Sequence, residues 1–202
     1  MFKNRIKSAV WIAVAMAFIG VSTAYAMDNI RTYVPNAQKV GTAKMRVMLW
    51  DIYQATLYAP NGDWSFDKPF ALRLKYLRHL DGHKIADRSV QEMRGQGFSD
   101  EVKLATWHTQ MRDIFPDVNE GDVINGVYMQ EGQTIFYEGD QELGRINDPE
   151  FSRRFFSIWL STKTSAPEIR LSLLGLEQGD RKGINDNEML KEIHSNGDGR
   201  YD

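Results

Sequence analysis

The order in which the hydrophobic period changes along the chain constrains the fold most. Apolar residues alternate at period two as far as Tyr76, recur at helical spacing from Ala86 to Ile114, return to period two until Ile146, and end in two more helical runs. Strands, two helices, more strands and two helices make an α+β protein with an antiparallel sheet and helices gathered on one face. A parallel sheet would need strand and helix to alternate one by one.

The first strand is signalled by Met45, Val47 and Leu49 alternating with Lys44 and Arg46 within Gln38–Trp50. Asp51 interrupts that run, and Ile52–Ala59 resumes it before a turn at Pro60-Asn61-Gly62-Asp63. Phe70, Leu72, Leu74 and Tyr76 share one face of a third strand. Ala86, Val90 and Met93 then mark a helix stopped by Gly95 and Gly97. Ser99-Asp100-Glu101 opens the next, with the Ser99 hydroxyl able to cap it. Asp122–Ile124, Val127–Met129 and Thr134–Tyr137 read as hairpin strands turning at Glu131-Gly132, with a short strand at Leu143–Ile146. Asp148-Pro149 pairs an N-cap acid with a proline whose missing amide costs nothing there. The helix it starts carries Phe151, Phe155, Ile158 and Trp159 on one side, to be buried in the core or to cover an apolar cavity; Pro167–Leu174 forms the last helix.

Residues 1–26 form a separate class of segment. Lys3, Arg5 and Lys7 precede the apolar stretch Ala9–Val21, and Ala24-Tyr25-Ala26 offers the small residues that a signal peptidase reads. The apolar stretch is shorter than the roughly 20 residues of a membrane span. A cleavable signal peptide is expected, with no membrane span left after cleavage and a periplasmic destination for the mature chain. Cleavage would take away three basic residues and no acidic one, moving the net charge from −2 to −5. Residues 27–177 form one domain, and residues 178–202, polar and glycine-containing, read as a mobile tail with a short helical possibility at Glu188–Ile193.

Composition removes several chemistries. With 26% charged and 11% aromatic residues the chain is of the packed globular kind, and with no Cys it has no disulfides, thiolate zinc site or thiol nucleophile. A near-neutral balance argues against a nucleic-acid partner, which needs clustered cations. His79 and His83 are four apart, but Asp81-Gly82 between them reads as a solvated turn, so no metal site is assigned. His108 is expected at a helix edge, and His194 belongs to the tail. No nucleophile elbow, zinc-protease pair or phosphate-binding glycine loop is present, and no cofactor is implied. The remaining constellation is Lys44, Arg46, Tyr53, Tyr58 and Tyr76. Either these are ordinary alternation, with basic residues on a wet face and tyrosines at the sheet edge, or the Arg46 fork holds an acidic head group beside an apolar cavity.

Several segments taken together resemble the chalcone isomerase-like family, in particular its exported bacterial members. They are Gly41–Arg46 running into Asp51–Tyr58, Phe70–Tyr76, Gly121-Asp122, Asp148–Leu160 with its Phe-Phe-Ser-Ile-Trp-Leu, and the closing Ile169–Gly175. The resemblance spans roughly residues 38–175. It implies an open-faced β-sandwich, a large antiparallel sheet covered on one face by helices. Plant enzymes of the family close a chalcone to a flavanone without a cofactor, and non-enzymatic relatives bind fatty acids in the same cleft. On an ungapped placement the family's guanidinium falls near Lys44–Arg46, its threonine near Tyr53 and its tyrosine near Ile85, so two of the three polar groups of the enzymes are absent or altered. Losing them removes the electrostatic stabilisation that dominates such rates.

The expectation is therefore a non-catalytic periplasmic protein that binds a small apolar ligand such as a fatty acid. Lys44, Arg46, Tyr53 and Tyr76 would meet the head group, and Phe155, Phe156 and Trp159 would line the cavity. Two alternatives stand beside it. One is a cofactor-free isomerase or lyase acting on a phenolic or enone compound; the other is an envelope module that binds a protein partner through its sheet face or tail.

Overall fold

Alternation in the first half of the chain becomes three long strands. In a computed structural model that describes residues 29–176, β1 (Ala37–Val47), β2 (Trp50–Pro60) and β3 (Phe70–Tyr76) pair antiparallel in chain order. α1 (Gly82–Gly95) and α2 (Glu101–Ile114) follow, then β4 (Val123–Tyr128), β5 (Gln133–Glu138) and β6 (Gln141–Asn147), then α3 (Pro149–Leu160) and α4 (Pro167–Leu173). The six strands form one antiparallel sheet in the order β1-β2-β3-β4-β5-β6. The expected α+β open-faced architecture is what the chain adopts. The expected leader at 1–26 and tail at 178–202, with His194, lie outside the described residues.

Strand parity divides the sheet into two faces. The register Met45↔Tyr53↔Tyr76, with Ala43↔Ala55↔Leu74↔Ile124, sets one row after another toward the helices. On that side Leu57, Phe70, Leu72 and Phe136 are buried against Met93, Leu104, Trp107, Met111, Phe151 and Phe156. Rings dominate the contact: Phe70 stacks on Tyr128 at 4.6 Å, and Phe155 meets Phe136 edge-on at 5.2 Å. The opposite face is largely polar, except where a helical turn at 29–33 lays Ile30 and Val34 on Ala71, Val127 and Ile135. The sequence reading placed every helix on one face and missed this small second layer, because one turn is too short to show a period.

Four boundaries differ from expectation for local reasons. Asp51 does not break the chain: it stays in the ladder opposite Arg46, and the reversal falls at Met48-Leu49, with Met48 at φ +54°. Asp51 is polar because it faces the wet side, so hydropathy stopped where the backbone continued. Asp81-Gly82 opens α1 instead of forming a free turn, since the Asp81 carboxylate accepts from the Lys84 amide at 3.2 Å. Asp100, not Ser99, caps α2, accepting from the amides of Val102 and Lys103. β4 runs unbroken through Asn125-Gly126, where Gly126 pairs with Leu72 on one side and Phe136 on the other.

The Asp148-Pro149 start is realised as read. The Asp148 carboxylate accepts from the amides of Glu150 and Phe151 and from the Trp107 indole at 2.9 Å, which ties α3 to α2. At the far end α4 lies directly on β1. A Cβ on Gly41 would come within 2.8 Å of the Leu173 carbonyl carbon and closer still to the Ser172 carbonyl oxygen, so only glycine allows that approach.

Candidate functional site

Between sheet and helices the core does not close. A cavity of about 440 Å3 remains over β1–β5, within the span of about 300–1,000 Å3 usual for small-molecule sites. Its floor is Met45, Tyr53, Leu72, Leu74, Tyr76, Ile124 and Phe136; its roof is Phe155, Phe156, Ile158 and Trp159 of α3. Val47, Lys84 and Arg88 also line it and are exposed, so the opening lies between the β1–β2 hairpin and α1.

α1 is the wall that carries charge. Ala86, Val90 and Met93 enter the core as their spacing predicts, but the adjacent stripe Ile85, Ser89 and Glu92, with Arg88, faces the cavity. The Glu92 side chain is only 10% exposed and is neutralised by Arg88 one helical turn earlier; the Ser165 hydroxyl donates to its other oxygen at 2.8 Å. Ser89 satisfies its own hydroxyl on the Ile85 carbonyl at 2.9 Å. The acids of the lining are thus already engaged, Asp81 in capping α1 and Glu92 with Arg88 and Ser165. What the wall offers a ligand is donors: one fork nitrogen of Arg88 is bound to Glu92, and a guanidinium has five N–H groups.

The two tyrosines supply the other polar groups. The Trp159 indole donates to the Tyr53 oxygen at 2.8 Å, which leaves the Tyr53 O–H free to donate. Tyr53 and Tyr76 meet edge-to-face at 6.3 Å. Burial pushes Tyr53 up to about 12, with the Trp159 bond and Arg88 opposing and Glu92 adding to the rise. Tyr76 is raised as well, by burial first and by Tyr53 second, with no hydrogen bond among the causes. Both remain neutral phenols at neutral pH, able to donate a hydrogen bond but unable to act as bases.

The structure therefore brings together Tyr53, Tyr76, Phe155, Phe156 and Trp159 around one cavity, and leaves Lys44 and Arg46 out of it. Lys44 and Arg46 stand on the opposite, wet face, where they hold Asp51 at 2.9 and 2.8 Å; Arg46 is 62% exposed. Their bonds hold the Asp51 carboxyl below its usual range. The guanidinium expected at the mouth is that of Arg88, and Arg46 is corrected to an exterior ion pair. The reason is parity: Met45 and Val47 line the cavity, so the even-numbered residues between and beside them must point away. Arg88 was missed because the core stripe of α1 drew attention from its neighbour. The available signal was Glu92, an acid four residues after an arginine beside a buried stripe. His79 and His83 go to separate partners, Asn119 and Arg112, and His108 sits at the helix edge on Asp87.

This cavity-bearing sheet has a counterpart among solved structures. The crystal structure of a fatty-acid binding protein from Arabidopsis thaliana superposes with a TM-score of 0.56 at 12% identity, over 69% of this chain and 87% of that one. At that identity the likeness is one of fold. Among curated proteins, no sequence matches this chain. The sequence pattern described as chalcone isomerase-like matches residues 38–175, more than half of the protein and all of β1–β6 and α1–α4 except the first residue of β1, and on that ground the chain belongs to the chalcone isomerase-like family.

Proposed function

We propose that this protein is a non-catalytic binder of a small amphiphile, a fatty acid being the type, working in the periplasm after its leader is removed. The observation that carries the reading is the cavity itself: a mostly apolar chamber whose charged wall, α1, exposes Arg88 and Lys84 at the opening. An aliphatic tail laid along Leu72, Leu74 and Phe155 would leave water at about 25 cal/mol per Å2 of apolar surface covered. Its oxygen-bearing head would reach the Tyr53 O–H and the free N–H groups of Arg88. The fold neighbour from Arabidopsis is a fatty-acid binding protein, which supports the same class of cargo. Export is supported by the basic start, apolar stretch and Ala-Tyr-Ala at the head of the chain.

Catalysis of the chalcone type is disfavoured by the same geometry. Both phenols are held protonated, and the two acids of the lining are engaged, Asp81 in capping α1 and Glu92 with Arg88 and Ser165, so what the lining presents to a ligand is donors. The test is native mass spectrometry of protein recovered from an exporting host, with a chalcone panel run beside it. A stoichiometric bound amphiphile and no turnover is the expected result. An empty protein that also fails to take up fluorescent fatty acids, or one that cyclises chalcones, contradicts the reading.

A further inference from the structure

The β1–β2 hairpin ends in four consecutive apolar residues held in water. Val47, Met48, Leu49 and Trp50 are all exposed, Met48 at 88% and Leu49 at 92%, and they make up more than half of the large exposed hydrophobic side chains among the described residues. A contiguous apolar patch of this kind is rare on a soluble surface and marks a contact site. The fold does not require it: the turn has only two residues, Met48 and Leu49, which polar residues would fill at least as well.

Cations surround the tip. Arg78 lies over the Trp50 ring at 4.9 Å, while Lys44 and Arg46 sit one step down β1. Lys75 joins them on the same wet face through the register Lys44↔Gln54↔Lys75. Asp51 is the acid in contact with this group, so the tip carries positive charge in a chain whose net charge is −2. An apolar tip bearing an indole, with a collar of Lys and Arg behind it, has the chemistry of the bilayer interface: aromatic and aliphatic groups enter the headgroup–acyl boundary and the cations meet anionic phosphates.

We infer that the Val47–Trp50 hairpin tip docks the protein on an anionic phospholipid surface and holds the cavity mouth against it. The inference rests on the proposed ligand-binding role for its purpose. Val47 belongs both to the tip and to the cavity wall, so an acyl chain leaving the bilayer beside the tip would pass to Met45 and Ile52 without crossing open water. A protein partner on the same tip is the competing occupant. The collar argues against it, because it spreads a net positive charge over several flexible side chains, a match for a field of phosphates.

The test compares the protein with a Met48→Asp/Leu49→Asp variant, each in the form recovered from the same exporting host, so that the leader is present or absent in both. Both side chains are in solvent, so the variant should unfold at the same temperature as the parent. On vesicles of phosphatidylethanolamine with phosphatidylglycerol, the parent should sediment with the lipid and the variant should bind roughly tenfold or more weakly. Binding should weaken with salt and be lower on phosphatidylcholine alone. Brominated acyl chains should quench the parent's fluorescence, and Trp50→Phe should remove the larger part of that quenching, leaving any share that comes from Trp159 in the cavity. Equal binding by parent and variant, no binding by either, or a tip that crosslinks only to a protein would overturn the inference. Uptake of a fluorescent fatty acid in lipid-free solution should be the same for both proteins. If neither takes it up while the vesicle difference persists, the cavity reading fails and the docking surface stands.

Discussion

Two arginines of this protein stand near one strand pair but on opposite sides of it, and substitution separates their roles. Arg46→Met should leave fatty-acid affinity unchanged, since its guanidinium faces water and Asp51. Arg88→Met removes a donor at the mouth and leaves Glu92 buried without its partner, so the variant to measure is Arg88→Met/Glu92→Gln, which avoids an uncompensated charge. Its affinity in a fluorescence titration should fall by roughly tenfold, about 1.4 kcal/mol. Equal losses at Arg46 and Arg88 would refute the placement of the head group. Tyr53 gives a pH signature. Its hydroxyl is pushed from 10.0 to about 12, so the stability it contributes is complete below pH 10 and is lost as pH rises through about 12. Thermal denaturation between those limits should fall less steeply in Tyr53→Phe than in the parent. At this scale the sequence pointed to aromatic residues that line the cavity, because Phe155 and Trp159 share a helical face and Tyr53 and Tyr76 face alike in their strands. It hid the charge: picking out Arg46 ignored its own strand's parity, and Arg88 becomes visible only when α1 is seen to have two buried stripes.

At the scale of elements, the joints are made by single residues. Asp148 closes the N-terminus of α3 and receives the Trp107 indole; burial works against its charge, yet the indole bond and the Phe151 and Glu150 amides outweigh that and hold its carboxyl below the ordinary 3.8. Its share of stability is therefore present above about pH 4 and lost as pH falls through the lowered value. Asp148→Ala should cost about 1–2 kcal/mol in urea denaturation at neutral pH, the usual loss for a cap, and the gap to the parent should narrow as the solution is acidified. A gap that does not change with pH would contradict this. Gly41→Val should be far more damaging, because it drives α4 off β1; a parent-like melting temperature would show that the contact is dispensable. Element types were legible wherever period and cap agreed, as in α3. Boundaries failed where a polar side chain looked like a break: Asp51 is a strand residue facing water, and Asp81 is a cap. The turn at 29–33 was illegible for a different reason, since Ile30 and Val34 form a helical stripe too short to be told from chance.

For the molecule as a whole, an antiparallel sheet lidded by helices leaves a chamber bounded by Leu74 and Tyr76 of the sheet, Ile85 and Ser89 of α1, and Phe155 and Trp159 of α3. The general architecture follows from the order of periodic segments, and the family resemblance from motifs such as Asp148–Leu160 and Ile169–Gly175, but whether such a chamber is hollow depends on side-chain volumes across five strands and two helices. No one-dimensional pattern encodes that sum. The central claim is that the hollow is a binding site and not a packing defect, and filling it is the direct test. Ser89 faces the chamber and its hydroxyl bonds only within its own helix, so Ser89→Leu adds bulk there without orphaning a partner. In a lipid-free titration with a fluorescent fatty acid, the parent should saturate at one ligand per chain and Ser89→Leu, equally folded, should take up little or none. Uptake unaltered by the added side chain, or no uptake by the parent, would contradict the account.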